Sequence, residues 1–555
     1  MFLRPAGSGE VAEIISKLKN KSTSDTKISA LKLAGEVPGF ARVVAETVSQ
    51  SFEQGVFPQS LKLARVIPIH KDGKKTEVSN YRPISLLSSF SKIYEKVMHS
   101  RITEFMEHNS SFCDTQYGFR AGRSCEHALL NAQNILLDSL NRGQISLLLF
   151  IDFSKAFDMV DHRILLHKIH HYGIRGNVHQ WIKSYLNDRQ QYVSVNGFDS
   201  SYSNIEYGVP QGSILGPLLF LIYINDIPEI SQFAKFILYA DDANIIITGD
   251  SIAEIESKIM SLTSALLYWV NSNGLLLNLN KTVFMIFSRR RISNNFTVRI
   301  NDTPIERVYE ARFLGVIVDD KLTWSGHIKA LKSKMARYIG IMYRIKKLIP
   351  LKVRQQIYHS FVQSHLNFCS LVWGFSCKSN IEALFAQQKK GMRAIMPGFV
   401  NYFFKDGVNP TSTKKSFNEF AILTIHGIIA QNTIIFMNKI NNFPNTLPAS
   451  VRSTISQSAP SREFRATHET CDTWYKEFNT SYYRKSVFFK GPLMLIDPSV
   501  DSTITPKSVQ SVKAFKTECK RVMLNLQKEG SVNDWSETSF LLFSVSGLRK
   551  SNRTN

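Results

Sequence analysis

Two acidic clusters, far apart in the chain, hold the residue types best suited to chemistry. Asp152 follows the apolar run 145–151, and Asp241 and Asp242 follow the apolar run 233–239. A carboxylate at the end of a buried strand is costly unless a cation or a partner neutralises it. Carboxylates that share a site repel one another, and a divalent metal relieves that repulsion. A pair of Mg²⁺ ions is the usual means of in-line nucleotidyl transfer, so a nucleic-acid polymerase is the leading hypothesis.

Composition narrows the class of protein. The chain has 555 residues, of which 43% are hydrophobic, and a formal net charge of +23. The hydrophobic fraction indicates a globular core, and the positive charge favours a polyanionic partner such as nucleic acid. The six cysteines are too sparse for a disulfide scaffold, which favours a reducing compartment, and they include no C-x-x-C pair or zinc-knuckle spacing. The longest apolar stretch, 214–224, is too short to span a bilayer, so no membrane role is predicted.

One segment is far more basic than the rest. Between Trp324 and Val400 the only acidic residue is Glu382, and aromatic residues are interleaved with the cations. This pattern suits a surface that follows a phosphate backbone. The alternative is a solvated helix whose aromatic side chains face the core, and both descriptions can hold on opposite faces. The basic residues are Lys329, Lys332, Lys334, Arg337, Arg344, Lys346, Lys347, Lys352, Arg354, Lys378, Lys389, Lys390 and Arg393.

Hydrophobic periodicity predicts the elements that position the acidic clusters. We expect helices within 10–57, a strand at 61–69, helices at 88–108 and 124–142, and a strand at 145–151. A helix at 162–187, strands at 191–196 and 203–208, a helix at 213–225 and a hairpin at 234–248 should follow. Then come a helix at 252–273 and strands near 283–288, 296–300 and 312–318. This pattern predicts an α+β sheet with helices on one face, followed by a helical, basic region.

Several further motifs occur in a fixed order around these clusters, and together they resemble the reverse transcriptases of non-LTR retrotransposons of the jockey-like lineage. The resemblance runs from about residue 18 to 393. The motifs are Ile67-Pro68-Ile69-His70-Lys71, Asn80-Tyr81-Arg82-Pro83-Ile84-Ser85-Leu86, Gln116-Tyr117-Gly118-Phe119-Arg120, the Asp152 cluster Phe150-Ile151-Asp152-Phe153-Ser154-Lys155-Ala156-Phe157-Asp158, Gly208-Val209-Pro210-Gln211-Gly212-Ser213-Ile214-Leu215-Gly216-Pro217, the Asp241 cluster Tyr239-Ala240-Asp241-Asp242, Asn278-Leu279-Asn280-Lys281-Thr282 and Phe313-Leu314-Gly315-Val316.

The resemblance implies a right-hand polymerase. It predicts an N-terminal helical extension at 1–60, fingers and palm at 61–325, a basic helical thumb at 326–400 and a C-terminal extension of unknown role at 401–555. The palm should be an antiparallel sheet with helices on one face. Relatives carry an upstream endonuclease, and we expect this chain to lack it because the resemblance begins so near residue 1.

The same resemblance assigns metal ligands. It implies that Asp152, Asp241 and Asp242, with the carbonyl oxygen of Phe153, hold two Mg²⁺ ions. From the residues alone, three convergent carboxylates could instead form a structural ion-pair site. Two adjacent aspartates in a turn between apolar strands favour the metal, because a buried double carboxylate needs a cation.

Nucleotide contacts are implied on both sides of the acidic clusters. Phe157 matches the aromatic residue that blocks a 2′-hydroxyl, and Gln211 and Gly212 match the segment against the incoming nucleotide. Lys71 and Arg82 match basic residues that hold the triphosphate. The alternatives are a core phenylalanine, a turn that caps a buried helix, and solvated surface charge.

Two further assignments complete the expected site. Lys281 matches a lysine proposed to protonate the leaving pyrophosphate, although it could instead cap a strand or pair with an acid. The segment 313–316 resembles the one that steadies the primer end, and it could also be a plain buried strand.

The predicted activity is RNA-directed DNA polymerisation with an RNA template, a DNA primer and dNTPs, expected in the nucleus at the step of DNA synthesis. The alternative is a truncated or co-opted protein that binds RNA without synthesis. A maturase-like protein is a further alternative, which the order of motifs fits less well. The sequence leaves the oligomeric state open.

Overall fold

The computed structural model describes residues 1–18, 36–293, 296–396, 414–442, 446–456 and 512–529. The strands are β1 (Leu63–His70), β2 (Tyr81–Leu86), β3 (Ile145–Ile151), β4 (Arg189–Val195), β5 (Phe198–Asp199), β6 (Ser203–Ile205), β7 (Lys235–Tyr239), β8 (Asp242–Gly249), β9 (Val283–Phe287), β10 (Val298–Ile300), β11 (Thr303–Arg307), β12 (Glu310–Phe313) and β13 (Val316–Asp319).

The helices alternate with these strands as far as residue 319 and dominate after it. The first eight are α1 (Ser8–Lys17), α2 (Phe40–Gln54), α3 (Ser89–His108), α4 (Cys125–Asn141), α5 (His162–His171), α6 (Gly176–Leu186), α7 (Leu215–Tyr223) and α8 (Ile252–Ser272). Those that follow are α9 (Ser325–Ile345), α10 (Leu351–Tyr358), α11 (Ser364–Asn367), α12 (Ser370–Trp373), α13 (Lys378–Ile395), α14 (Lys414–Glu419), α15 (Ile425–Asn442), α16 (Ala449–Ser456) and α17 (Val512–Glu529).

A six-stranded sheet in the order β10-β11-β9-β3-β8-β7 carries both acidic clusters. Its central strand, β3, pairs antiparallel with β8 and with β9, and only the β11–β9 pairing in this sheet is parallel. Leu147, Leu148 and Leu149 of β3 have no solvent exposure. A strand that is apolar at successive positions must be covered on both faces, because neighbouring side chains point to opposite sides.

Helices cover both faces of this sheet. Leu147 and Leu149 pack into a core with α8, whereas Leu148 packs with α4 on the other side. The expectation of helices on one face is therefore wrong. A single covered face would require alternating polar residues along β3, and its sequence has none between positions 147 and 151.

A second sheet lies in the region predicted to form the fingers, with the order β2-β1-β4-β5 and with β6 also paired to β4. Three sequence expectations near it and downstream need correction. The helix expected at 162–187 is interrupted by Gly173 and Gly176, both at positive φ, and forms α5 and α6. The strand expected at 312–318 is a hairpin, because Leu314 and Gly315 both adopt positive φ in the turn between β12 and β13. The strand expected at 203–208 is shorter, because β6 ends at Ile205. Strand β11 has no counterpart among the predicted elements.

The helices after residue 324 share one hydrophobic core with α4 and with the C-terminal helices. Met342 of α9, Ile381 of α13, Ile428 of α15 and Cys519 of α17 all belong to this core and are buried. On α9 the apolar stripe faces inward, while basic residues such as Lys332 are exposed. Across the part of the chain described here, no helix is both long and apolar enough to cross a membrane.

Candidate active site

Strand register brings the two acidic clusters together. In the antiparallel β3–β8 pair, Ile151 lies opposite Ala243. The next residues beyond this last pair are Asp152, which follows β3, and Asp242, the first residue of β8. Both residues continue the side-chain alternation of Leu148, so both carboxylates project from the same face of the sheet.

The third carboxylate, Asp241, lies in the two-residue turn of the β7–β8 hairpin. Tyr239 pairs with Asp242, which leaves Ala240 and Asp241 to form the turn. Ala240 has a φ of 55°, a left-handed conformation that residues with a side chain rarely adopt. Such a conformation persists only where surrounding contacts impose it.

The contacts that impose it come from residues 115–118. Gln116 is buried, and its side-chain oxygen accepts hydrogen bonds from the backbone amides of Ala240, at 3.0 Å, and Gly118, at 2.8 Å. The amide of Tyr117 donates to the carbonyl of Leu238 at 2.8 Å. A Cβ on Gly118 would lie 2.4 Å from the Ala240 nitrogen, so only glycine allows this approach.

The three carboxylates repel one another. Asp241 and Asp242 are both exposed at the edge of the site. The pKa of the Asp242 carboxyl is raised to about 6, first because the surrounding protein displaces part of its hydration and then because Asp241 and Asp152 are negatively charged. Partial loss of hydration and the charge of Asp152 also raise the pKa of Asp241. Lys71 opposes both shifts, and Arg82 opposes the one at Asp241. Opposite charges from the fingers therefore act on the acidic cluster of the palm.

The carboxylates and the Phe153 carbonyl suit a divalent cation whose remaining ligands come from water and a bound substrate. No hydrogen bond in the described chain uses the carbonyl of Phe153, whereas that of Asp152 accepts one from the Asn278 amide at 2.8 Å. Among the described residues, no three His, Cys, Asp or Glu side chains are gathered into a ready-made metal cluster. Mg²⁺ typically uses one or two carboxylates together with water and substrate phosphates, so a complete protein cage is not required.

Gln211 and Gly212 lie in a turn held against β2. The backbone amide of Ser85 donates to the Gln211 carbonyl at 2.7 Å. A Cβ on Gly212, which has a φ of 129°, would lie 2.5 Å from the Ser85 carbonyl oxygen. The Gln211 side-chain nitrogen donates to Asp158 Oδ1 at 2.8 Å, so this carboxylate orients the glutamine.

Phe157 lies in a short 3₁₀ turn, Ala156–Asp158, directly after the Asp152 cluster. Its ring stacks on Phe220 of α7 with a centroid distance of 4.5 Å, and the side chain remains partly exposed. The Val209 amide donates to the Phe157 carbonyl at 2.9 Å, which joins this turn to the segment before Gln211.

The two basic residues of the fingers lie on the β1–β2 hairpin. Arg82 is opposite Ile69 in the strand pairing, and Lys71 follows β1, with its amide bonded to the Asn80 carbonyl at 2.8 Å. Both side chains are exposed. Their charges reach the acidic cluster, so the structure brings these two predicted residues toward the carboxylates.

Lys281 ends the turn whose first residue, Asn278, bonds to the Asp152 carbonyl. Its backbone therefore lies near the end of β3, but its exposed side chain is not among the charges that shift the pKa of Asp242. Segment 313–316 contacts β3 through Phe313, whose ring meets the ring of Phe150 edge to face with a centroid distance of 5.7 Å.

Sequence reasoning missed three residues that hold this arrangement, Gln116, Asp158 and Glu95. Gln116 and Asp158 lie inside quoted motifs, but nothing in the motifs indicated their contacts. Glu95 gave a usable signal. It occupies the buried stripe of α3 together with Met98 and Ile102, where an acid is unexpected.

Comparison with known proteins shows which proteins this chain resembles. The family model "Reverse transcriptase (RNA-dependent DNA polymerase)" matches residues 69–318. The chain is 30% identical over 399 residues to the RNA-directed DNA polymerase from mobile element jockey of Drosophila melanogaster, and the match covers 70% of this chain and 43% of that protein.

Two further Drosophila melanogaster relatives agree. The probable RNA-directed DNA polymerase from transposon X-element is 29% identical over 411 residues, covering 71% of this chain and 44% of that protein. The corresponding protein from transposon BS is 29% identical over 358 residues, covering 61% and 39%. The chain thus spans less than half the length of these relatives. The predicted resemblance to the reverse transcriptases of non-LTR retrotransposons is confirmed, because residues 69–318 match the reverse transcriptase family model and these relatives are similar over 61% to 71% of this chain. The same match confirms the predicted α+β polymerase fold.

Proposed function

We propose that this chain is an RNA-directed DNA polymerase that extends the 3′-hydroxyl of a DNA primer on an RNA template with dNTPs. The observation that supports the proposal is the β3–β8 register, because its last pair, Ile151 and Ala243, adjoins Asp152 and Asp242, and Asp241 lies in the neighbouring turn. The names of the matched relatives support the same chemistry.

Asp152, Asp241 and Asp242, with the Phe153 carbonyl, are proposed to hold two Mg²⁺ ions. When bound, such ions activate the attacking oxygen and neutralise charge on the phosphates. The repulsion that raises the pKa of Asp241 and Asp242 is consistent with this role, because a cation stabilises the charged form of every carboxylate.

The nucleotide is proposed to lie between the fingers and the palm. Lys71 and Arg82 would contact its phosphates, because their charges already act toward the carboxylates. Gln211 and Gly212 would line its base and sugar. Phe157 would block a 2′-hydroxyl, and its stacking on Phe220 would keep the ring from moving aside.

Two roles lie at the edges of this site. Lys281 is proposed to protonate the leaving pyrophosphate, which requires its flexible side chain to turn toward the acidic cluster when nucleotide is bound. The exposed cations of α9 are proposed to contact the phosphate backbone of the template–primer duplex.

The test is primer extension on a homopolymer RNA template with Mg²⁺, comparing wild type with Asp241→Asn. We expect the variant to lose extension while keeping its affinity for the template–primer duplex. Asp138→Asn is the matched control, because Asp138 forms a surface ion pair with Arg142. Normal extension by Asp241→Asn would remove the metal assignment. A wild-type chain that binds RNA but extends no primer in Mg²⁺ or Mn²⁺ would support the RNA-binding alternative instead.

A further inference from the structure

Glu95 is an acid with no solvent exposure in the middle of α3. One of its oxygens accepts hydrogen bonds from the backbone amides of Ile214, at 2.6 Å, and Leu215, at 3.4 Å. The other accepts from the Ser91 hydroxyl at 2.7 Å. The carboxylate therefore joins a helix of the fingers to the segment that follows Gln211 and Gly212.

The amides that Glu95 binds have no obvious alternative partner. They lie at the start of α7, where the first amides of a helix lack partners within the helix. Leu215 is buried and Ile214 is half-buried, so water has limited access to these two amides. Ile214, at the cap position, has no polar side chain. The Ser213 hydroxyl accepts from the Gly216 amide and donates to the Pro210 carbonyl, so it does not reach the amides of residues 214 and 215. An acceptor from another helix fills the gap, and a negative charge suits a helix N-terminus.

The same turn is held from its other end by β2. Ser85 bonds to the Gln211 carbonyl and lies against Gly212. Strand β2 leads directly into α3, so one continuous piece of the fingers contacts residues 211 and 212 through Ser85 and residues 214 and 215 through Glu95. Arg82 belongs to the same strand.

A buried acid is expensive unless its hydrogen bonds are strong. Burial raises the pKa of Glu95, whereas the buried Arg189 guanidinium and the bonded amides act in the opposite direction. Arg189 forms no ion pair with Glu95 within the described chain, and its Nη1 donates instead to the Tyr185 carbonyl at 3.1 Å. The hydrogen bonds of Glu95 are made with the turn and with Ser91. The Tyr185 side chain lies close by, and its pKa is raised first by its own burial and then by the charge of Glu95.

We propose that Glu95 is the positioning residue that fixes the backbone of residues 211–215, and with it the nucleotide-facing edge formed by Gln211 and Gly212. This inference rests on the proposed function for the identity of the ligand. Glu95 itself contacts no reacting group, because it acts from behind the turn.

The test compares Glu95→Met, which fills the volume without an acceptor, with Glu95→Gln, which keeps a neutral one. We expect Glu95→Met to raise the KM for dNTP about tenfold, with kcat and the KM for template–primer within about twofold of wild type. Glu95→Gln should raise the KM for dNTP about threefold, because a neutral acceptor is weaker. Glu104→Gln is the control, since Glu104 lies on the same helix in an exposed ion pair with Arg4.

Amide hydrogen exchange on the unliganded chain gives a second readout that needs no activity. Exchange at Ile214 and Leu215 should quicken in Glu95→Gln and more so in Glu95→Met, while the rest of α3 stays unchanged. Two results would overturn the proposal. One is a KM for dNTP that stays at the wild-type value while kcat falls in step with thermal stability. The other is amide exchange at Ile214 and Leu215 that is unchanged in Glu95→Gln. If the wild type extends no primer, the proposed function fails, and the exchange data still decide whether Glu95 fixes this turn.

Discussion

The side-chain oxygen of Gln116 accepts a hydrogen bond from the backbone amide of Ala240 at 3.0 Å, across 124 residues of sequence. This bond supports the left-handed conformation of Ala240 and therefore the direction in which Asp241 and Asp242 leave the turn. The position of the acidic turn thus depends on a segment that contributes no carboxylate of its own.

Gly118→Ala should disable this support. The added Cβ would lie 2.4 Å from the Ala240 nitrogen, and because the obstacle is backbone, the turn has to move. We expect kcat for primer extension to fall about 100-fold, since a displacement of about 1 Å at a reacting centre has that effect. Gly9→Ala is the matched control, because a Cβ on Gly9 meets nothing within 4 Å. Wild-type kcat in a folded Gly118→Ala chain would show that the turn tolerates displacement.

Asp242→Asn should stabilise the metal-free protein above neutral pH. The folded-state pKa of Asp242 is about 6, above its ordinary value of 3.8, so ionisation in the folded state is penalised. The resulting loss in the free energy of unfolding is absent below about pH 3.8, grows between about pH 3.8 and about pH 6, and is constant above that range. Because the side chain is solvent-accessible, we expect a Tm increase on the order of 1 °C at pH 7.5 in a thermal unfolding scan.

At pH 3.5 the two proteins should unfold at the same temperature. Adding Mg²⁺ at pH 7.5 should raise the Tm of the wild type more than that of Asp242→Asn, since the variant lacks one carboxylate. Equal Mg²⁺ shifts in both proteins would argue against Asp242 as a ligand.

Phe157→Val should weaken discrimination against ribonucleotides. A smaller side chain opens space beside the sugar, and Phe220 loses its stacking partner. We expect the ratio of kcat/KM for a dNTP to that for the matching ribonucleotide to fall at least about tenfold, by the scale of pocket discrimination. Phe198→Val removes an exposed ring from β5 and should leave the ratio unchanged. Equal ratios in Phe157→Val and wild type would return Phe157 to a purely structural role.

Neutralising Lys329 and Lys332 on the exposed face of α9 should weaken binding of the template–primer duplex. Each lost phosphate contact reduces the slope of log K against log salt by about 1, so the double variant to Gln should reduce it by about 2. The measurement is duplex affinity across a salt series. Arg42→Gln with Lys183→Gln removes the same charge from exposed positions on α2 and α6 and should leave the slope unchanged.

Local patterns predicted the elements of the palm well. The strand at 145–151 was expected at the bounds that the structure gives β3, because its apolar run ends sharply at Asp152. The break at Gly173 and the hairpin turn at 314–315 were missed because they depend on positive φ, which hydrophobic periodicity does not report.

The contacts that position the site were less accessible from sequence. Glu95 and Ile214 are separated by 119 residues, and their pairing depends on how α3 packs beside the start of α7. The three aspartates were identified because strand ends and adjacent acids are local signals. Their supporting residues required the tertiary structure, since no local pattern states which distant amide a buried side chain will meet.

The core that α4, α9 and α13 share with α15 and α17 has a consequence for the newly made chain. Phe515 and Cys519 complete the same apolar interior as Met342 and Ile381, although 134 to 177 residues separate them in sequence. During translation, every carboxylate of the palm emerges long before this interior can close. This interior is therefore completed only after the segment ending at residue 529 has left the ribosome.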